Sequence, residues 1–441
     1  MAGFAETVAT FAADLTLDDV PDDVVDRARE TLVDTIGVTL AGMSDPTVRD
    51  LAERLAEDSA APTTPLLGTD LAADPLLAAL VHGTAGVWHD FDAGNRFAGG
   101  HPAVHAVPAA ISTSAGRAVS GARFLEAILA GYEVAARIGR GTTLRQGMHP
   151  HGTWATVGAA VTSALLRGLD TDGVREALNA STSLTIATSW TAAFEGATIR
   201  NVFAGAGAAS GVLAAELASV GFTGERDGVA TVFGGLSGVS WDEETALEGL
   251  GDRWEIGFGY TKLLASARYL HPAVDAVVDA LDGRSLEPDE IEAIEVHTFD
   301  FAASMTEVDP PNPLAAKFSL PHSVAAQIVL GDGGIPAFED DALGNPRIRD
   351  LARRVEVAED PAMTDRTPTE RPASVRIRLR DGTVLSAERS LPHGDADPVS
   401  DEALRSKFVA CATRAIPEDR AHALLDALWD VTGVDDVADL W

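Results

Sequence analysis

Residues 21–42, PDDVVDRARETLVDTIGVTLAG, carry the clearest fold signal in this chain of 441 residues. Their apolar side chains recur at three- and four-residue spacing, which predicts the buried face of an amphipathic helix. Pro21 suits the first turn of that helix, and Gly42 suits its end. Similar spacing recurs in residues 74–88, 122–139, 153–166, 171–187, 205–218 and 271–281. We therefore predict that roughly the first 280 residues are mainly helical.

The pattern changes in the last third of the chain. Apolar and polar residues alternate over 294–298 and 375–380, as in half-buried strands, and residues 355–357 predict a further strand. Asp381-Gly382 predicts a hairpin turn. The fold class is therefore mainly α, a multihelical domain with a second, smaller α+β domain. The predicted domains are residues 1–267 with 395–441 for the helical domain and residues 268–394 for the α+β domain.

The charge is strongly negative: 33 Lys and Arg stand against 67 Asp and Glu, a formal net charge of −34. Nucleic acid and anionic membranes are excluded as partners, because the sequence has no basic run to bind them. Its lysines are Lys262, Lys317 and Lys407. An acidic, lysine-poor composition predicts a halophilic cytoplasm, where salt screens the repulsion between surface carboxylates. An acidic protein of a GC-rich mesophile is the alternative.

Cysteine content and the termini limit the location of the protein. Cys411 is the sole cysteine, so one chain can form neither an internal disulfide nor a thiolate-ligated zinc or iron–sulfur site. Residues 1–15 contain no basic residue, which argues against a signal or transit peptide. Residues 202–220 are apolar but rich in Ala and Gly and include Glu216, so we predict a core helix and no membrane span. We expect a cytoplasmic protein.

Acidic and imidazole side chains are concentrated in residues 88–105. An Asp beside a His can hold the ring in one tautomer for proton transfer near neutral pH, so Asp90 and His101 are candidate catalytic residues. A helix cap or an ordinary loop residue is the alternative. His101 and His105 are four residues apart, but no Glu follows His101 and Pro102 interrupts the helix that a zinc motif needs. We predict no metal here.

Two further groups could bind an anion. His149 precedes the predicted helix at 153–166, and imidazole with helix N-terminal N–H groups suits an anionic ligand, although a polar turn is an equal alternative. Lys262, Arg268 and His271 lie near the predicted domain boundary, where clefts often bind ligands. Two isolated candidates, each of which also fits a structural role, are Arg200 and His322.

Several short motifs, taken in order, resemble the MmgE/PrpD family over roughly residues 5–435. They include Asp34-Thr35-Ile36-Gly37, His89-Asp90-Phe91-Asp92, His101-Pro102, His149-Pro150-His151-Gly152-Thr153-Trp154, Gly221-Phe222-Thr223-Gly224, His271-Pro272, Lys317-Phe318-Ser319-Leu320 and Lys407-Phe408. The family includes 2-methylcitrate dehydratases, cis-aconitate decarboxylases and iminodisuccinate epimerases. The resemblance implies a helical domain with a smaller lid domain, a homodimer, small polycarboxylate substrates and no metal or organic cofactor.

The resemblance also implies the positions of active-site residues. These are Asp90, His101, His149 and the cleft lysine Lys262. Three positions depart from the family pattern. Arg200 stands where many members have Lys, His322 where many have Tyr, and Ala93 replaces a second acid after Asp92. These departures bear on substrate identity and on the hydrogen bonds around Asp90.

Dehydration of a β-hydroxy acid needs a base, an acid and cations for the carboxylates. With one cysteine the chain cannot ligate the iron–sulfur cluster of aconitase-type enzymes, so side chains must protonate the leaving hydroxyl. The predicted roles are His101 and His149 as the acid–base pair, Asp90 to orient His101, Lys262, Arg200, Arg268 and His271 to hold carboxylates, and His322 as an auxiliary acid.

The leading prediction is a cofactor-independent lyase that dehydrates 2-methylcitrate or a close hydroxy-polycarboxylate. An epimerase and a decarboxylase remain open, because proton abstraction beside a carboxylate also begins epimerisation and a similar pocket can favour loss of CO2. A metal-dependent hydrolase would need His101, His105 and an acid in one coordination shell. A non-catalytic carboxylate-binding protein would account for the departures at Arg200 and His322.

Overall fold

A computed structural model describes residues 3–395 and 398–441 of the chain. Helices dominate its first part, as predicted. They are α1 Phe4–Asp14, α2 Asp22–Met43, α3 Pro46–Glu57, α4 Pro75–Gly86, α5 Ala103–Ser114, α6 Gly121–Gly141, α7 Ala155–Leu166, α8 Thr171–Thr182, α9 Trp190–Phe194, α10 Ile199–Ser219, α11 Gly228–Thr231 and α12 Glu243–Leu247. Short strands between them form the antiparallel pairs β1–β2, β3–β6 and β4–β5. The strands are β1 Thr64–Pro65, β2 Ala72–Ala73, β3 Gly94–Asn95, β4 Thr142–Leu144, β5 Gly238–Trp241 and β6 Gly259–Tyr260.

Helix α10 runs through the helical part and packs against α4, α7 and α8. Glycine permits the close approach: a Cβ at Gly205 would lie 2.1 Å from the carbonyl oxygen of Leu80. By length and composition α10 could cross a membrane, but half of its apolar window is buried inside the protein. Its first turn carries the buried polar residues Arg200 and Asn201. We therefore interpret α10 as a core helix.

Two helix predictions differ from the structure by about five residues at one end. Helix α8 stops at Thr182 instead of 187, because the following chain turns away and the Ile186 N–H bonds to the carbonyl of Gly152. Helix α10 begins at Ile199, whereas the predicted helix begins at 205. The prediction begins too late because the first turn contains Arg200 and Asn201 and lies outside the apolar run. That turn brings Arg200 into the interior.

The remaining elements are a small sheet with its covering helices and two C-terminal helices, α20 and α21, that pack on α2. They are α13 His271–Leu281, β7 Ile291–Thr298, α14 Asp300–Ala303, α15 Pro313–Ala316, α16 Leu320–Leu330, α17 Asp340–Gly344, α18 Pro346–Ala352, β8 Val355–Glu359, α19 Pro361–Thr364, β9 Ala373–Leu379, β10 Val384–Arg389, α20 Asp401–Ala412 and α21 Glu418–Trp429. The sheet order is β10-β9-β7-β8, with β7 and β8 parallel and the other neighbours antiparallel. The predicted hairpin turns at Gly382, whose φ is +90°.

Two hydrophobic cores follow from this arrangement. One joins the N-terminal helices with Leu404 and Phe408 of α20 and with α21. The other lies between the sheet and its covering helices α13 and α16. The mainly α fold class with a small C-terminal sheet is confirmed; the residue boundaries of the two domains stay a prediction.

Candidate active site

A small cavity lies where the two cores meet; together with its solvent-open mouth it contains about 380 Å³ free of protein atoms. Its lining residues are Asp90, Gly99, His101, His149, Pro150, Trp190, Arg200, Tyr260, Lys262, Ala267, Arg268, Tyr269, Phe318 and Arg371. They come from loops next to α4, α5, α7, α13 and β9, from α9 and from the first turn of α10. Six of the eight predicted site residues therefore share one cavity.

His101 is held by a carboxylate that the sequence analysis did not choose. Its Nδ1 lies 2.7 Å from Oδ2 of Asp92 and 3.0 Å from the carbonyl oxygen of Ala93. Both contacts are to acceptors, so Nδ1 carries the proton and Nε2 is the ring atom available to a substrate. Burial alone would raise the pKa of Asp92, but His101 lowers it, so the carboxylate stays ionised. The prediction that Asp90 orients His101 is wrong.

Asp90 serves two cations instead. Its Oδ1 accepts a hydrogen bond of 2.5 Å from Nη2 of Arg200, and its Oδ2 lies 3.3 Å from Nζ of Lys262. Burial would raise the pKa of Asp90, but Lys262, Arg200 and His101 together hold it well below its usual range. The backbone of Asp90 has φ of +51°, a left-handed conformation that Asp tolerates better than most residues. Asp90 is therefore a fixed anion that positions the cationic groups.

All three lysines of the chain donate to one loop, the Asp90 loop (residues 88–93). Their acceptors are the carbonyls of Asp90 for Lys262 at 2.8 Å, Trp88 for Lys317 at 3.2 Å and Phe91 for Lys407 at 2.8 Å. Lys407 also pairs with Asp34 at 2.6 Å, and Asp34 accepts the N–H of Ala93. The loop that carries Asp90 and Asp92 is thus anchored from three separate elements. The sequence feature that points to this shared role is that the chain contains only these three lysines.

His149 faces the cavity as a neutral donor. Its Nδ1 accepts the backbone N–H of His151 at 3.2 Å, while its buried Nε2 has no partner among the described residues. Burial, and next the charge of Arg200, lower the pKa of His149 well below its ordinary value. The neutral ring therefore carries its proton on Nε2. His149 and His101 are the two imidazoles of the cavity, as predicted from sequence.

Two predicted site residues lie outside the cavity lining. His322 donates from Nε2 to the carbonyl of Ala337 at 2.8 Å and packs against Phe338, so it is buried in the second core. His271 donates from Nε2 to Ser266 O and accepts from Arg268 at Nδ1, which leaves no ring atom for a substrate. Their predicted roles as auxiliary acid and substrate ligand do not fit this geometry.

The four cations that line the cavity differ in how they are neutralised. Arg200 and Lys262 share Asp90, and Arg268 pairs with Asp395 at 3.0 Å and donates to the carbonyl of His393. Arg371, which the sequence analysis missed, forms no ion pair with a carboxylate among residues 3–395 and 398–441. The cavity therefore suits an anionic ligand.

One group of side chains near the cavity has the composition of a metal site. Asp92, His101 and His151 each offer a ligand atom, and these atoms lie within 4.8 Å of one another. Two ligands of tetrahedral zinc are about 3.4 Å apart, whereas Nδ1 of His101 and Oδ2 of Asp92 approach to 2.7 Å, the distance of a direct ion-pair contact. The geometry thus favours a paired Asp and His over a coordination shell.

Comparisons with known proteins identify the family of the chain. The model of the MmgE/PrpD N-terminal domain matches residues 6–248, and that of the MmgE/PrpD C-terminal domain matches residues 265–431. A cis-aconitate decarboxylase of Aspergillus terreus is 24% identical, over 100% of this chain and 94% of its own. Those of Mus musculus and Homo sapiens are each 24% identical, over 98% and 99% of this chain and 91% and 93% of their own. The chain belongs to the MmgE/PrpD family.

Proposed function

We propose that the protein is a lyase that acts on a small polycarboxylate, with decarboxylation of cis-aconitate as its leading reaction. The observation that carries the proposal is the cavity in which His101, held by Asp92, faces Lys262, Arg200 and a neutral His149. The full-length similarity to cis-aconitate decarboxylases supports this choice of substrate.

The chemistry of decarboxylation fits these groups. When the bond to the departing carboxyl carbon breaks, its electron pair spreads over the alkene and a remaining carboxylate. The nearby Lys262 ammonium stabilises that negative charge in a site largely closed to water. A proton must then reach carbon to give the dicarboxylate product, and His101 or His149 can deliver it. CO2 leaves, and no oxidant or reductant is needed.

Dehydration of a hydroxy-polycarboxylate such as 2-methylcitrate is the second candidate. His101 with Asp92 is arranged as a base for the proton beside a carboxylate, and the Nε2–H of His149 is arranged as a donor to the leaving hydroxyl. The C–O bond breaks, and the hydroxide that takes its electron pair accepts the proton of His149 and leaves as water. The electron pair of the broken C–H bond forms the alkene. The same two imidazoles therefore support either reaction.

Product analysis distinguishes the candidates. Purified protein is incubated with cis-aconitate, citrate, 2-methylcitrate and a chiral iminodicarboxylate in deuterated buffer at low and at molar KCl, and NMR follows the products. With cis-aconitate as substrate, we expect loss of CO2 and incorporation of one deuterium from the buffer into the product. An alkene formed from a hydroxy acid would assign the dehydratase instead, and deuterium uptake with inversion would overturn both in favour of an epimerase.

Matched histidine variants connect turnover to the cavity. His101→Gln should lower kcat by about 100-fold or more, the usual contribution of a general acid or base. His422→Gln is the control, because His422 lies exposed on α21 beside Glu418. Substrate binding without turnover in the wild-type protein would contradict the lyase and favour a carboxylate-binding protein.

A further inference from the structure

Arg371 lies in the cavity, yet among residues 3–395 and 398–441 it has no acidic partner of the kind that the other lining cations have. It is 6% exposed, and its Nη1 is buried with no hydrogen-bond partner among the described residues. The side-chain hydrogen bond that it makes is long, from Nη2 to the carbonyl of Arg96 at 3.4 Å. A buried guanidinium without an anion is costly, which favours an anion supplied from outside the chain.

The position of Arg371 is fixed by the sheet. Its N–H donates to the carbonyl of Ser390 at 2.9 Å, at the base of the β9–β10 hairpin. The carbonyl of the next residue, Pro372, accepts from Oγ1 of Thr298. The guanidinium lies 5.4 Å from the ring centre of Tyr269, which orients it further. Arg371 is thus held rigidly, as a binding residue should be.

Two aromatic rings, those of Tyr269 and Trp190, lie in sequence between Arg371 and His149. The His149 ring lies 4.2 Å from that of Trp190, and the Trp190 ring lies 6.1 Å from that of Tyr269, over which Arg371 sits. A carboxylate bound by Arg371 would therefore lie beside Tyr269, whereas a group that contacts His149 would lie beside Trp190. A planar guanidinium binds such a group through two parallel hydrogen bonds.

We propose that Arg371 is a specificity-determining residue that binds the carboxylate of the substrate farthest from the reacting carbon, and so selects tricarboxylates over dicarboxylates. This inference rests on the proposed function only in taking a polycarboxylate as the ligand class. It does not depend on which bond the enzyme breaks.

Binding of saturated analogues tests the inference without turnover. Dissociation constants of tricarballylate, a tricarboxylate, and glutarate, a dicarboxylate, are measured by calorimetry on the full chain. For Arg371→Met we expect about a 10- to 100-fold weaker Kd for tricarballylate, the loss of a charge-assisted hydrogen bond, and less than about a twofold change for glutarate. The Kd of Arg371→Lys for tricarballylate should lie between those of the wild type and Arg371→Met, because lysine keeps the charge but loses the planar fork.

Arg376→Met is the matched control, because Arg376 lies exposed on β9 near Glu295 and outside the cavity. It should leave both constants unchanged. An unchanged tricarballylate constant in Arg371→Met, an equal loss for both ligands, or no tricarballylate binding by the wild type would each overturn the inference. A further outcome is that the wild type converts no substrate while Arg371→Met still loses affinity for tricarballylate and not for glutarate. In that case the inference holds and the lyase proposal fails.

Discussion

Replacing Asp92 by Asn tests whether the Asp92–His101 pair drives the reaction. The substitution nearly preserves shape but removes the charge, at a side chain that is 1% exposed. An amide can turn its NH2 toward Nδ1 of His101, which would favour the tautomer with the proton on Nε2. The carbonyl oxygen of Ala93, 3.0 Å from the same nitrogen, can still accept the Nδ1–H hydrogen bond of His101, so part of the population keeps the original tautomer. We therefore expect a large but incomplete loss of activity.

The magnitude follows from the contact that is lost. The 2.7 Å approach of His101 Nδ1 to Asp92 Oδ2 is a close polar contact with a charged group, and contacts of this kind contribute about 1.5–3 kcal/mol. Each 1.36 kcal/mol of barrier corresponds to about tenfold in rate, so kcat should fall by roughly 10- to 150-fold. Asp92 is not among the residues that line the cavity, so KM should change by less than about threefold. The predicted signature is a loss in kcat with substrate affinity retained.

The assay is steady-state turnover of the substrate that the NMR panel identifies. Asp275→Asn is the control, since Asp275 accepts the N–H of His393 and lies 3.5 Å from its ring outside the cavity lining. Thermal unfolding of both variants shows whether they fold. A folded Asp92→Asn with kcat within about threefold of wild type would refute the orienting role.

Three further predictions follow from the same contacts. His149→Gln should lower kcat by about 100-fold or more while thermal stability stays near wild type; an unimpaired rate would remove His149 from the chemistry. Chelator treatment should leave turnover intact, because Asp92 and His101 approach too closely for zinc; activity that disappears and returns with added metal would contradict this. Burial lowers the pKa of His82 to about 4, so the folded protein favours the neutral ring. The contribution of His82 to the free energy of unfolding is therefore complete above pH 6.5 and is lost as pH falls toward 4. Between pH 7.5 and 5.5 the free energy of unfolding should drop by about 1 kcal/mol more in wild type than in His82→Gln, measured with urea; equal drops would contradict it.

The helical elements that could be predicted are those whose apolar residues recur at helical spacing in the sequence. Helix α2 lies within a residue of its predicted bounds, and helix α13 has the predicted bounds of 271–281. Helix α5 gave no such signal, because Pro108 lies inside it and interrupts the helical pattern. Complete burial alone does not hide a helix, since α7 is buried at all twelve residues and matches the prediction for 153–166.

The candidate site could be predicted by residue type but not by partner. Asp90 and Asp92 are two residues apart in one loop, and only the tertiary fold shows that Asp90 meets Arg200 while Asp92 meets His101. His322 resembled a site residue by its place in a motif, yet its ring turns to a backbone carbonyl in the second core. Loop side-chain directions depend on long-range contacts that spacing does not encode.

The lysines show how composition and site are connected. The acidic, lysine-poor sequence predicts a high-salt cytoplasm, where positive surface charge is carried by arginine. The three lysines that remain are at most 8% exposed and donate to carbonyls of the Asp90 loop. A compact ammonium on a flexible stem can reach a single backbone oxygen where a planar guanidinium would not fit. Burial also lowers the pKa of Lys317 to about 8, a cost that the loop contact offsets. Lysine is therefore retained in this chain where it shapes the loop that carries Asp90 and Asp92.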